Sequence, residues 1–314
     1  MLIAADGLVA AFGSKLRAPL YWPTFEIQDK YQRMQQLRPS GTRILLVGDS
    51  VMDSAADPKL MAAAGLPGVF NAALAGEPLA PIEEWALRVL QPHFHPTMVV
   101  LGFDVNVLNG GLPGRAALLA DFQHSRPVAV AEGRGDLVDQ LDGWLDRNVA
   151  LYRERSVLRQ PFQQPTSAGA AIYNPPLSAA GWNKDFRSYE LQPTPPGLEA
   201  AARELRGDLF ALYRQSTQNA DSIASTIRSL ENQGAQVLFV VLPESPAVAG
   251  AVPGGQKEVT AGTAVMLNAA QNAGARTLNA GPWAATYFAD GVHLNRAGTI
   301  RFSSWLAQAL ETQR

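Results

Sequence analysis

Five short runs of consecutive apolar residues occur along the chain, and none of them alternates with polar positions. A strand that is buried on both faces has this continuous apolar pattern, as in the parallel sheets of α/β proteins. We therefore predict five parallel strands, and the runs are Ile44–Val47, Val69–Ala72, Met98–Leu101, Val237–Leu242 and Arg276–Leu278.

Segments with the helical spacing of apolar residues separate most of these strands. Proline near a first turn and glycine just past a last turn mark several of their ends. The predicted helices are Asp57–Ala64, Pro81–Leu90, Leu198–Gln233, Glu258–Ala273 and Arg296–Leu310. Alternating strands and helices indicate an α/β fold, a three-layer α/β/α sandwich around a five-stranded parallel sheet. Ligands of such sheets bind beyond the carboxyl ends of the strands.

The alternation is interrupted between the third and fourth strands. A structureless loop of that length is uncommon inside a compact domain, so we predict an insertion at about residues 110–197 that caps the active edge or docks a partner. It contains a helical piece, Leu137–Val157. Four aromatic residues in it either stack on sugar rings or form the core of a small cap, and they are Tyr173, Trp182, Phe186 and Tyr189.

The first 42 residues precede the first strand and are predicted to form a separate N-terminal segment, with the main domain at 43–314. The apolar stretch Met1–Gly13 contains Asp6. It is shorter than the roughly 20 residues that span a bilayer, and it lacks the positively charged start of a signal peptide. We expect a short helix packed on the domain. The alternative is the stub of a longer membrane anchor, with Lys15 and Arg17 at the interface.

The composition excludes several classes of function. The chain has 314 residues, 47% hydrophobic and 17% charged, as in a globular protein. Its formal net charge is -2 without a basic stripe, so no nucleic-acid partner is expected. Cysteine is absent, which removes a thiol nucleophile, a disulfide framework and a thiolate metal site.

Two short motifs at opposite ends of the chain bring together the parts of a nucleophilic hydrolase. Ser50 ends the sequence Gly-Asp-Ser directly after the first strand, at the carboxyl edge of the sheet. Asp290 and His293 form a DxxH turn near the C-terminus. A serine hydroxyl needs a base to take its proton, and His293 is the candidate base. Asp290 would accept the other ring N–H and stabilise the imidazolium.

These motifs resemble the conserved blocks of the SGNH (GDSL-like) hydrolases. The sequence GDS at 48–50 resembles the first block, NAALAG at 71–76 the second, and DGVHLN at 290–295 the last. The resemblance covers residue 43 to about residue 310 apart from the insertion, and it implies a flavodoxin-like sandwich. It also implies the catalytic residues Ser50, Asp290 and His293. In this family the backbone N–H groups at the positions of Ser50 and Gly76 donate to the oxyanion.

The third block departs from the family pattern. The family has Gly-x-Asn-Asp, whose asparagine amide gives the third oxyanion hydrogen bond, whereas this chain has GFDVN at 102–106. Asp104 falls on the asparagine position, where an ionised carboxylate would repel the oxyanion. Asn106 lies two residues further on and is the predicted donor, with Asn109 as another candidate. A weakened third donor costs on the order of 10²–10³ in rate in other enzymes.

Each candidate residue also has a purely structural explanation. Ser50 could be a helix N-cap with Asp53 in the first turn. His293 could lie on the surface, and Asp290 could be an ordinary turn residue. The pair His93 and His95 could bind zinc, but a loop entering the third strand explains it better.

The function we predict is a serine O-acyl esterase or acyltransferase that acts on ester-modified carbohydrate of the cell envelope through an acyl-Ser50 intermediate, without a cofactor or metal. The segments 151–158 and 242–246 resemble the DltD-like and alginate-acetylation-like subgroup. That likeness implies a bacterial envelope location, an N-terminal anchor and a membrane acyltransferase as partner, although a cytoplasmic location stays open. The alternatives are a non-catalytic carbohydrate-binding or scaffold component of a polysaccharide acylation complex and, with less support, a lipase or thioesterase.

Overall fold

A five-stranded parallel sheet forms the centre of the molecule, with the strand order β2-β1-β3-β4-β5. The computed structural model describes residues 2–12, 26–27, 30–31, 33–34, 37, 43–111, 141, 144–145, 148–153, 177–182 and 195–312. The strands are β1 Ile44–Gly48, β2 Val69–Asn71, β3 Met98–Phe103, β4 Gln236–Val241 and β5 Arg276–Asn279. The predicted parallel sheet is confirmed, with strand ends that differ by one or two residues.

The burial of the strands explains why their sequences are continuously apolar. All residues of β1 and β2 are buried, and so is each of β3 and β4 after its first residue. Only β5, at the edge of the sheet, is partly exposed. Strands covered on both faces have no solvent side on which polar residues would alternate.

Helices cover both faces of the sheet and complete the three layers. The α-helices are α1 Leu2–Phe12, α2 Ser50–Ala55, α3 Pro58–Ala63, α4 Leu79–Glu84, α5 Gln91–Phe94, α6 Ala150–Arg153, α7 Pro195–Gly207, α8 Thr217–Asn232, α9 Pro246–Ala251, α10 Gly255–Asn272 and α11 Arg296–Glu311. A π-helical turn, Trp85–Leu90, joins α4 to α5, and 3₁₀ turns lie at Val105–Leu108 and Ala285–Tyr287. On one face α8 contacts α10 and the π-helical turn, and on the other α11 contacts α2 and α3.

The single long helix predicted for residues 198–233 is wrong. Two helices, α7 and α8, occupy this part of the chain, with a turn between them that contains Leu212 at φ 51°. The side-chain amide of Asn109 donates to the carbonyl oxygens of Leu209 and Ala211 at 2.9 and 3.2 Å. Ser216 then caps α8 by accepting from the N–H of Asn219 at 3.2 Å. The first helix ends at Gly207, and a residue about 100 positions away holds the turn that follows it.

Part of the predicted insertion lies beside the outer strand of the sheet. Ala180 accepts from the N–H of Asn71 in β2 at 2.9 Å, and the indole of Trp182 donates to Ser54 O at 2.9 Å. Trp182 thus packs on α2. The other three predicted aromatic residues, Tyr173, Phe186 and Tyr189, lie outside the described residues.

The N-terminal helix α1 contacts the short helix α6. The carboxylate of Asp6 accepts from the N–H of Leu151 at 2.8 Å, so the one charged residue of this apolar helix contributes to the contact. Lys15 and Arg17 lie outside the described residues. Within the part of the chain that the structure describes, no helix has the length and apolar character needed to cross a membrane.

Candidate active site

Ser50 is the first residue of α2, directly beyond the carboxyl end of β1. The last residue of the strand is glycine, because a Cβ at position 48 would lie 2.1 Å from the carbonyl oxygen of Gly102 in the neighbouring strand. Asp49 is the helix N-cap, and its carboxylate accepts from the N–H of Val51 at 2.9 Å. The capping role that could have explained Ser50 therefore belongs to Asp49. The Ser50 side chain is half-buried.

Asn71, at the end of β2, fixes α2 against the sheet. Its buried side-chain amide donates to the carbonyl oxygens of Met52, Asp53 and Ala56 at 2.9–3.1 Å. Its side-chain oxygen accepts from the N–H of Ala73 at 3.1 Å. One side chain thus ties the helix that begins at Ser50 to the segment that leads to Gly76.

Asp290 and His293 form a hydrogen-bonded pair in the last loop of the chain. Asp290 Oδ2 lies 2.8 Å from His293 Nδ1, while Oδ1 accepts from the N–H groups of Val292 and His293 at 2.8 and 2.7 Å. Although burial acts to raise it, the pKa of Asp290 is lowered to about 2 by the charge and hydrogen bonds of His293. An ionised carboxylate only accepts, so this contact places the hydrogen on Nδ1 and leaves proton exchange to Nε2.

The loop that carries His293 is held on both sides. Asn295 caps α11 by accepting from the N–H of Gly298 at 3.0 Å, and its amide donates to Thr286 O at 2.8 Å. The hydroxyl of Ser245, which follows β4, donates to the carbonyl oxygen of Gly291. The position of the loop that carries the imidazole therefore depends on Asn295 at the start of α11 and on Ser245 after β4, as well as on its own turn.

The C-terminal helix α11 and the helix α2, which begins at Ser50, meet beside the sheet. Helix α11 packs on α2, where Thr299 and Ser303 approach the carbonyl oxygens of Ser54 and Ala55 at 3.4 and 3.3 Å. His293 lies near enough to Asp49, the neighbour of Ser50, to lower the pKa of that carboxyl. The fold thus brings the predicted nucleophile and the predicted base to one edge.

Asp104 and Asn106 follow β3 at the same edge, next to Asp49. Asp104 is 2% exposed, and its Oδ1 accepts from the backbone N–H of Asn106 at 2.9 Å and from the side-chain amide of Asn106. Burial, then the charge of Asp49, raises the pKa of Asp104 well above its ordinary value. This shift favours the neutral form of Asp104, which would repel the oxyanion less than the carboxylate expected from the sequence.

The remaining polar candidates from the sequence have structural roles. Asn109 is buried in the turn that separates α7 from α8. His93 and His95 are exposed and lie just before β3, at the amino edge of the sheet, opposite Ser50. Among the residues that the structure describes, no group of three or more His, Asp or Glu side chains is arranged to bind a metal ion.

Gly76, the second predicted oxyanion donor, lies in an exposed turn at φ 73°, a conformation that favours glycine. Sequence analysis missed two residues that contact the segment before it, Glu26 and Lys30. The sequence does carry a signal for them, because Glu26 and Lys30 are opposite charges four residues apart. The apolar residues Ile27, Tyr31 and Met34, which are buried, have the spacing of one helical face beside them.

Comparison with known proteins adds little to this geometry. No protein-family model matches the chain, and no curated protein is similar to it. Among solved structures, the Mycobacterium smegmatis aryl esterase is 14% identical, with 86% of this chain and 99% of that one covered and a TM-score of 0.37. Est24, a carbohydrate acetylesterase from Sinorhizobium meliloti, is 12% identical, with 87% and 100% covered and a TM-score of 0.38. Since these TM-scores are below 0.5, the fold and the site rest on this chain's own contacts.

Proposed function

We propose that this protein is a serine ester hydrolase of the SGNH type, with Ser50 as nucleophile, His293 as general base and Asp290 as its carboxylate partner. The observation that carries the proposal is the 2.8 Å contact between Asp290 and His293 in a loop that α11 brings to the edge where Ser50 begins α2. The capping of α2 by Asp49 supports it, because the helix does not require the hydroxyl of Ser50.

In the proposed reaction Ser50 Oγ attacks the ester carbonyl carbon while His293 Nε2 takes its proton. The tetrahedral oxyanion is stabilised by the backbone N–H groups of Ser50 and Gly76. Collapse of the intermediate breaks the carbonyl–alkoxy bond, and His293 gives its proton to the leaving alkoxide. Water, or a sugar hydroxyl in a transferase, then loses a proton to His293 and attacks the acyl carbon. The bond from that carbon to Ser50 Oγ breaks, His293 returns the proton to Oγ, and the acid or the new ester is released.

Our proposal for the third oxyanion donor is Asn106, as in the sequence prediction. Its amide donates to Asp104 Oδ1, so it would have to turn from that acceptor towards the oxyanion. The raised pKa of Asp104 supports this arrangement, because it favours the form without a negative charge beside the reacting carbonyl.

The proposed substrate is an ester-modified carbohydrate of the cell envelope, with a membrane acyltransferase as the proposed partner. This finer proposal rests on the sequence resemblance of segments 151–158 and 242–246 to envelope acyl-transfer proteins. Aryl esters of increasing acyl length, compared with acetylated oligosaccharides, test it. A preference for long acyl chains would favour a lipase or thioesterase instead.

The decisive experiment is labelling with a fluorophosphonate and hydrolysis of an aryl acetate by the wild type, Ser50→Ala and Ser222→Ala. Ser222, which donates to Glu83 at 2.6 Å in the helical layer that holds α8, is the matched serine control. We expect the wild type and Ser222→Ala to be labelled and active, and Ser50→Ala to be neither. Equal turnover by Ser50→Ala would refute the proposal.

One observation favours a second function, that of a non-catalytic carbohydrate-binding or scaffold component. The amide of Asn106 is engaged with Asp104, which leaves the third oxyanion donor weakened. A wild-type protein that is not labelled by fluorophosphonate but binds acetylated oligosaccharide in calorimetry would support this alternative.

A further inference from the structure

A fully buried cluster of ionisable side chains connects Glu26 and Lys30 to both halves of the proposed oxyanion site. The cluster consists of Glu26, Lys30 and Asp53, whose side chains are 0% exposed. The ammonium of Lys30 lies 3.0 Å from Glu26 Oε1, and it also donates to Asp53 Oδ1 and to the carbonyl oxygen of Ala73. Glu26 Oε2 accepts from the N–H of Ala75 at 3.1 Å.

Such a cluster is a costly way to stabilise a fold. Moving charged groups out of water is unfavourable. Apolar residues of similar volume in the same place often stabilise a fold equally well or better. Burial acts to lower the pKa of Lys30, but Asp53 and Glu26 outweigh it and raise that pKa. The lysine therefore stays charged inside the protein.

The contacts of the cluster lie on the two elements that carry the proposed backbone donors. Asp53 belongs to α2, three residues after Ser50. The carbonyl of Ala73 and the N–H of Ala75 belong to the segment that leads to Gly76. Gly76 itself is exposed. One ammonium therefore contacts both elements.

We propose that Glu26 and Lys30 are positioning residues that hold the 73–76 segment against α2, so that both backbone N–H groups meet the oxyanion. This role rests on the proposed function. Its distinctive consequence is that loss of the cluster weakens transition-state binding more than substrate binding.

The test compares the wild type with Lys30→Met, with the double variant Glu26→Gln/Lys30→Met and with Met34→Ala. Lys30→Met removes the contacts to Asp53 and Ala73 at similar side-chain length. The double variant also removes Glu26, one of the two buried carboxyl groups left without their cation, so it carries the test if the single variant fails to fold. Met34 is 2% exposed and belongs to the same part of the chain, so its truncation controls for general loosening of that part.

Three measurements follow on the full chain: kcat and KM for an aryl acetate, Ki for phenylboronic acid, and deuterium uptake of peptides covering residues 72–77. A boronic acid forms a tetrahedral adduct with the serine and so reports on the oxyanion site. We expect both Lys30 variants to lose about 10- to 100-fold in kcat and in boronate affinity, below the cost of losing one donor completely. KM should change less than about 3-fold, and uptake should rise at 72–77.

The outcomes separate this inference from the proposed function. Met34→Ala should melt at a lower temperature but keep the kcat and Ki of the wild type. An active wild type whose Lys30 variants keep kcat, Ki and deuterium uptake would overturn the positioning role and leave the hydrolase intact. A wild type that hydrolyses no ester would refute the function, and increased uptake confined to 72–77 in the Lys30 variants would still show that the cluster holds this segment.

Discussion

Replacing Asp49 by asparagine should stabilise the protein at neutral pH but not in acid. Asp49 is 7% exposed, and burial raises its pKa to about 6 against the lowering effects of the N–H groups of Val51 and Met52 and of His293. Asparagine has the same shape, and its side-chain oxygen can still accept from Val51 as a helix cap. The substitution therefore removes mainly the buried charge.

The size of the effect follows from the difference between the pKa of Asp49 in the folded state and its pKa in the unfolded state. The unfolded carboxyl titrates near 3.8 and the folded one near 6, so the folded state holds its proton longer. Stability is then lost as pH rises from about 4 to 6, by about 1.4 kcal/mol for each pH unit. The full cost is about 3 kcal/mol above pH 6. A neutral cap lacks the favourable interaction with the helix dipole, about 0.3–1 kcal/mol, so Asp49→Asn should gain about 2 kcal/mol.

Urea unfolding at several pH values between 4 and 8 measures this gain. The variant should be about 2 kcal/mol more stable than the wild type at pH 8, and the advantage should disappear at pH 4. Asp208→Asn removes a negative charge from the exposed surface and controls for net charge. A difference between Asp49→Asn and the wild type that is the same at pH 4 and pH 8 would refute the reasoning.

Three further predictions concern the site. Asp290→Asn should lower kcat for an aryl acetate by about 10²–10⁴, because an amide that donates to Nδ1 selects the wrong tautomer; near-wild-type turnover would contradict the triad. Asp104→Asn should stay within about 5-fold of wild-type activity at pH 7, since burial and the charge of Asp49 raise the pKa of Asp104 and favour its neutral form. The variant should lack the loss of activity that the wild type shows once Asp104 ionises, and a pH profile identical to that of the wild type would contradict this. Asn71→Leu should lose at least about 3 kcal/mol of stability in urea unfolding, because it removes the buried donor to three carbonyl oxygens and the acceptor for the N–H of Ala73; a loss below about 1 kcal/mol would show that these hydrogen bonds matter little.

Contacts between distant parts of the chain explain the predictions that failed. Residues 198–233 were predicted as one helix, but the first helix ends at Gly207, and Asn109 binds the carbonyl oxygens of Leu209 and Ala211 in the turn that follows. This contact of a side chain about 100 residues away leaves no trace in local periodicity. The raised pKa of Asp104 was missed for a related reason, because it depends on burial beside Asp49.

The sequence by itself determined the five strands, most of the helices and the identity of the three candidate catalytic residues. Strand and helix periodicities are local, and a strand covered on both faces must be apolar throughout. The tertiary structure alone decided that Asp49 caps α2, that the pKa of Asp104 is raised and that Lys30 reaches Asp53 and Ala73. Charge states and buried ion pairs depend on which groups are excluded from water together. That proximity exists only once the chain has folded.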